Sequence, residues 1–268
     1  MSKSGSIAGP VPLRVCLIIA ALLNFTPAIT KASVVFDWPA SPGWTAGSPT
    51  AGQTVTQSFT SVDPNDITVA INNSGNGVQG MNLQAGYPQI SSNPMTGGFT
   101  GVNALQLFVI SSQSVGTYIK TTVSFATPVI NLSFQIWDVD AFAGQFVDKI
   151  SNIQALAQGG GVVGPDSVTS AVAGFNTISG AGLSTVVLGT ANANNSTNQG
   201  TINIMFNGPI TEFSFEWSNN DPALGQQAIA IGPLTYFPVP ESNAACLSLT
   251  FCLAAILVER VRRRRYPI

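Results

Sequence analysis

Histidine is absent from the 268-residue sequence, and none of its 3 cysteines falls between residues 33 and 237. The first absence removes Ser-His and Cys-His nucleophilic catalysis and the commonest zinc ligand. The second removes a disulfide framework, a thiol nucleophile and a thiolate metal site. Basic residues are also scarce away from the ends. Of the 10 in the chain, Lys3, Arg14 and Lys31 lie before Ser33, and five arginines lie after Pro240. Only Lys120 and Lys149 remain between those points, against ten acidic residues, so that span carries a formal charge of −8 where the whole chain carries −2. An acidic, arginine-free span argues against nucleic acid and anionic lipid as partners, whereas it suits a hard cation such as Ca²⁺. Helical periodicity is missing as well, because no run of ten residues between the two apolar ends shows a 3.6-residue stripe.

What is present is alternation. Ser33 to Trp38, Gln53 to Thr60, Ile67 to Ile71, Ala104 to Ile110, Tyr118 to Phe125, Asn131 to Asp138 and Lys149 to Ala157 are rich in Val, Ile, Thr and aromatic residues at period two. Val168 to Val172, Ser184 to Leu188, Gly200 to Phe206, Glu212 to Trp217 and Ala228 to Tyr236 continue the pattern. Glycine, proline and asparagine separate these runs, which predicts a single all-β ectodomain over residues 33–237, an antiparallel β-sandwich or jelly roll. Residues Gly86 to Gly101 read as a surface loop. Val123 to Asp138 and Ile204 to Asn219 echo each other, with Phe125, Pro128, Ser133 and Phe134 recurring as Phe206, Pro209, Ser214 and Phe215. Each copy reads as strand, proline turn, strand, which predicts two equivalent hairpins.

The two ends carry addresses. Residues 1–32 hold Lys3 and Arg14, an apolar core from Val15 to Phe25, and small residues at Thr30 and Ala32, the pattern of a signal peptide cleaved by signal peptidase after Ala32. At the other end, residues 238–268 place Val239-Pro240-Glu241-Ser242 before an apolar run at 244–258. Arg260, Arg262, Arg263, Arg264 and Arg265 follow it. As a helix this run of about 15 residues spans about 22 Å, so it crosses a bilayer by local thinning and arginine snorkelling. The arginine cluster is a stop signal that stays on the cytoplasmic side.

This three-part ending resembles the PEP-CTERM protein-sorting tail of bacteria, with Ser242 standing where that motif has its second proline. The resemblance covers only residues 238–268. It implies recognition by an exosortase, a membrane protease that cuts near the motif, and an association with exopolysaccharide. The implied localisation is export, anchoring in the inner membrane by the C-terminal helix, and then release to the cell surface or extracellular matrix.

Candidate chemistry concentrates at Asp138, Asp140 and Asp148. Alternate residues of an extended chain point the same way, and Asp148 returns on the following strand, so the three carboxylates are candidate oxygen ligands for Ca²⁺. The competing reading makes Asp138 and Asp140 turn caps. Paired carboxylates for glycoside hydrolysis would have to come from Asp138, Asp140, Glu212 or Glu216. Yet Glu212 and Glu216 alternate with Phe213, Phe215 and Trp217 and so read as the outer face of a strand. Trp44, in a Pro- and Gly-rich connection, is the candidate exposed aromatic for stacking on a sugar, while Trp137 and Trp217 read as core. The sequence therefore predicts a secreted, surface-associated, non-enzymatic protein. It leaves open a Ca²⁺-dependent or carbohydrate-binding matrix module, a structural surface protein without a specific ligand, and, least favoured, a carbohydrate-active enzyme.

Overall fold

The alternation written in Ile67–Asn73 becomes an alternation of burial, with Ile67, Val69, Ile71 and Asn73 turned inward and the residues between them half-buried. The same rule organises the rest of the computed structural model, which describes residues 32–60, 65–75, 81–92, 99–111, 116–223 and 225–239. Its strands are β1 (Val34–Phe36), β2 (Thr54–Phe59), β3 (Ile67–Asn73), β4 (Met81–Leu83), β5 (Gln89–Ser91) and β6 (Ala104–Ser111). There follow β7 (Ile119–Trp137), β8 (Ala141–Phe142), β9 (Phe146–Ala157), β10 (Val162–Val163), β11 (Ser167–Ser170) and β12 (Asn176–Ser179). The last are β13 (Val186–Gly189), β14 (Ile202–Phe206), β15 (Ile210–Asn219), β16 (Gly225–Ile231) and β17 (Leu234–Pro238). A single 3₁₀ turn at Gly182–Ser184 is the helical content of the described residues. The fold is all-β and sandwich-like, with antiparallel pairing throughout.

The predicted strands at Tyr118–Phe125 and Asn131–Asp138 are one strand of 19 residues, β7. The turn expected at Pro128 does not form. Instead the strand exchanges partners there: on one flank β3 pairs with Ile119–Phe125 and β17 takes over from Val129. On the other flank β15 pairs up to Val129 and β14 from Leu132 onward. Pro128 has no N–H to contribute to a ladder, so it suits the point where one neighbour ends and another begins. Its carbonyl accepts the Val239 N–H at 2.8 Å, and Asn131 supplies a local kink with φ 51°. The internal echo is therefore not a pair of equivalent hairpins. Its second copy, β14 and β15, runs antiparallel along its first, β7, from Ile202↔Ile136 to Trp217↔Ile119.

Further departures are local. The expected loop at 86–101 contains β5, which pairs with β6 through Gln89↔Gln106. Residues 176–179, too polar to stand out in the sequence, form β12 against β13. The described residues from Ala32 onward are one unit, and β1 and β17 pair with each other, Val34 opposite Tyr236.

Inside, the aromatics interlock. Phe36, Trp38 and Phe59 meet edge to face with centroids 5.2–6.0 Å apart, and Phe134 stacks on Phe213 at 4.4 Å. Such contacts add about 0.5–1.5 kcal/mol each beyond the buried area. Loops are tied to this core by buried amides. Gln57 accepts the Thr45 and Ala46 N–H groups at 2.6 and 3.0 Å and donates to the Gly43 carbonyl at 2.7 Å, which orders the Pro- and Gly-rich connection that carries Trp44. Removing the amide strands three backbone groups. Gln57→Ala is expected to lower the unfolding free energy by roughly 1–3 kcal/mol in chemical denaturation, and an unchanged midpoint would show that this connection is held by other means.

Candidate functional site

The three aspartates singled out in the sequence do come together, at the end of β7. Asp138 follows the last residue of that strand with φ 65°, a left-handed geometry that aspartate tolerates better than most side chains. Asp140 precedes β8, and the short β8–β9 hairpin returns Asp148 beside it, with the Asp148 N–H donating to the Asp140 carbonyl at 2.9 Å. The loop is wrapped closely by β13, since a Cβ on Gly189 would lie 2.0 Å from the Asp140 carbonyl oxygen. All three side chains are buried, Asp148 completely.

Three of their six oxygens accept N–H groups of the protein. Asp148 accepts the Trp217 indole N–H at 2.7 Å on one oxygen and the Asp140 N–H at 3.1 Å on the other. Asp140 accepts the Ala193 N–H at 2.7 Å. Asp138 Oδ1 is buried with no hydrogen-bond partner. Ca²⁺ takes six to eight oxygen ligands from carboxylates, carbonyls and waters, and the described residues contain no set of three or more acidic, His or Cys side chains placed to hold a metal ion. The donor set as arranged does not fit that cation.

The cluster relieves its charge by protonation. Burial, and then the neighbouring Asp140 charge, pushes Asp138 up from 3.8 to about 8. Burial raises Asp140 to about 6 against the opposing hydrogen bonds from the Ala193 N–H and with Asp148. Burial, reinforced chiefly by Asp140, also raises Asp148 well above the usual range. Each carboxyl binds its proton more tightly folded than unfolded. Its contribution to stability is therefore fully present below about pH 4 and is lost as pH rises through the folded value. For Asp138 that window ends near pH 8.

Trp44, the expected exposed aromatic, is partly buried against the main core. Its ring lies 6.3 Å from Phe59 and its N–H is donated to the Gly47 carbonyl at 2.8 Å. Trp217 is a core residue, as its strand context indicates. Glu212 and Glu216 are half-buried on β15, accepting from Ser124 at 3.0 Å and Asn152 at 2.6 Å. Of the sorting motif only Val239 is among the described residues; Pro240, Glu241, Ser242 and Arg260 to Arg265 lie outside them. The described residues include no helix long and apolar enough to cross a membrane, and the predicted span at 244–258 is not among them.

A second feature escaped the sequence reading. On the outer face of β11, β14, β7 and β17 lies a groove of about 550 Å³. Trp137 sits at one end in a small apolar cluster separate from the main core, with Ala104, Ala230, Phe99 and Val102. Phe99 stacks on it at 4.2 Å and 15°, and Gly232 packs so closely behind that a Cβ there would come 2.8 Å from the ring. The Trp137 N–H donates to Gln135 Oε1 at 3.0 Å, Gln135 Nε2 to Asn203 Oδ1 at 2.8 Å, and Asn203 Nδ2 to Thr169 Oγ1 at 3.4 Å. No single strand could reveal this ladder, because Gln135, Asn203 and Thr169 are 34 to 68 residues apart and meet only through strand register.

No family model matches the chain, and no curated protein sequence matches it. Among solved structures it is similar to the N-terminal domain of the Streptococcus gordonii adhesin Sgo0707, at 10% identity and a TM-score of 0.37. The alignment covers 80% of this chain and 49% of that one, so the chain spans about half the length of the structure it matches.

Replacing Asp138 by Asn keeps its shape and removes its charge. The purified protein is expected to melt at a higher temperature at pH 5 than at pH 8, with the stabilisation by Asp138→Asn several-fold larger at pH 8 than at pH 5. A calcium-dependent rise in melting temperature that Asp138→Asn abolishes would instead assign the cluster to a cation.

Proposed function

We propose that the chain is an exported, surface-associated protein whose β domain acts by binding or by its bulk and not by catalysis. It is delivered by a leader cut after Ala32 and held by an exosortase-type tail until released at the cell surface or into exopolysaccharide. The observation that carries this reading is that the first and last strands among the described residues lie just inside the two sequence addresses. β1 opens at Val34, two residues past the expected leader cut, and β17 closes at Pro238, two residues before Pro240-Glu241. Because β1 and β17 are antiparallel neighbours, Val34 at the start of β1 lies opposite Tyr236 near the end of β17.

The non-catalytic part rests on the carboxylates. Asp140 and Asp148 are tied to backbone and indole N–H groups inside the protein, and Glu212 and Glu216 bond to side chains of adjacent strands. The chain has no histidine, and no arginine between Ser33 and Pro240, to partner a carboxyl in acid–base work.

Expression in a bacterium that sorts PEP-CTERM proteins tests the address. The released product is expected to begin at Ser33 and to lack the arginine cluster by intact mass, while Pro240→Ala with Glu241→Ala holds the chain in the membrane fraction. A surface product that retains Met1 and Arg265 would sink the proposal.

A further inference from the structure

We infer that the outer-face groove over β11, β14 and β7 is a binding site for a neutral polysaccharide chain lying across the strands. This rests on the reading that the domain binds rather than catalyses, and is independent of how the tail is handled.

The argument begins with hydrogen-bond polarity. An indole N–H can only donate, so the bond from Trp137 fixes the Gln135 carbonyl toward it. The Gln135 amide must then turn its NH₂ to Asn203, and the Asn203 NH₂ turns to Thr169. Thr169, having accepted, is left to donate its own hydroxyl outward. Each amide also retains one N–H beyond the ladder. The groove therefore presents a row of donors of fixed direction, and Ser133, Ser167 and Thr235 line it with hydroxyls that can donate or accept. Gln135, Asn203 and Thr169 stand opposite one another on three adjacent strands, hence about 4.8 Å apart, close to the length of one sugar unit in an extended glycan.

Charge narrows the ligand. None of the residues lining the groove is acidic or basic, so nothing there would neutralise a sulfate, a uronate or an amine. Lys120 and Lys149 are the only basic residues between Ser33 and Pro240, against ten acidic ones, and neither lines the groove. An anionic polymer would meet net repulsion without a local cation. The hydrocarbon of Phe99 and Pro233 at the Trp137 end supplies apolar contact for the C–H face of a sugar ring. A row of preset polar groups beside an apolar platform is the arrangement that small polar ligands require.

Affinity electrophoresis of the full chain tests this, with hydroxyethylcellulose, dextran and galactomannan as neutral polymers and alginate as the anionic one. At least one neutral polymer is expected to retard the protein while alginate does not. Asn203→Ala and Phe99→Ala should each weaken the retardation at least tenfold while each variant still unfolds cooperatively well above the assay temperature. Retardation by none of the neutral polymers, by alginate in preference to them, or with both variants indistinguishable from the parent would overturn the assignment. Release of reducing sugar from a retarding polymer would overturn the non-catalytic reading and leave the groove assignment standing. Absence of both retardation and hydrolysis would do the reverse.

Discussion

The exchange of partners along β7 is the constraint on which the rest of the structure depends. One strand of 19 residues pairs on one flank with β3, β17 and β16 in succession and on the other with β15 and β14. Much of the strand is thereby held between two neighbours, and its inward side chains, among them Val123, Phe125, Leu132, Phe134 and Ile136, enter the main core. The outward residues of its second half form the floor of the groove, and the three positions after its last residue lead into the carboxylate cluster. Fold, groove and cluster are thus successive stretches of one strand.

Alternation made most of this legible. A period of two separates inside from outside without knowledge of the partner strand, which is why the all-β class and the inward set of β2, β3, β6 and β15 follow from composition and spacing. Pro128 misled because proline between two strands usually marks a turn. Only the neighbours show that it sits where a missing N–H costs nothing. The echo between residues 123–138 and 204–219 was real as a pattern, yet its meaning depended on the two copies pairing with each other.

The site was legible to different degrees for a related reason. Asp138, Asp140 and Asp148 are near in sequence, so their convergence could be anticipated from strand geometry. Their hydrogen bonds could not, because Trp217 and Ala193 come from distant segments. The groove was invisible because polar residues on an outer strand face carry no signal by themselves. Gln135 and Asn203 gain meaning only as a registered pair, with Trp137 at the end setting their direction.

Burial of three carboxyls in a domain already acidic opposes stability, and the same arrangement restrains the last turn of β7. Val139, between Asp138 and Asp140, donates its N–H to the Gly200 carbonyl at 2.9 Å and accepts from the Asn176 amide. Asp140 holds the backbone of Ala193, and Asp148 holds both Asp140 and Trp217. Trp137 is the residue immediately before this knot, and the amide polarity of the groove originates at its N–H. A loose strand end would let the indole swing and the Gln135 and Asn203 amides lose their common direction. The desolvation cost at the cluster is softened by protonation. The acidic end and the uncharged groove are adjacent parts of a single strand terminus.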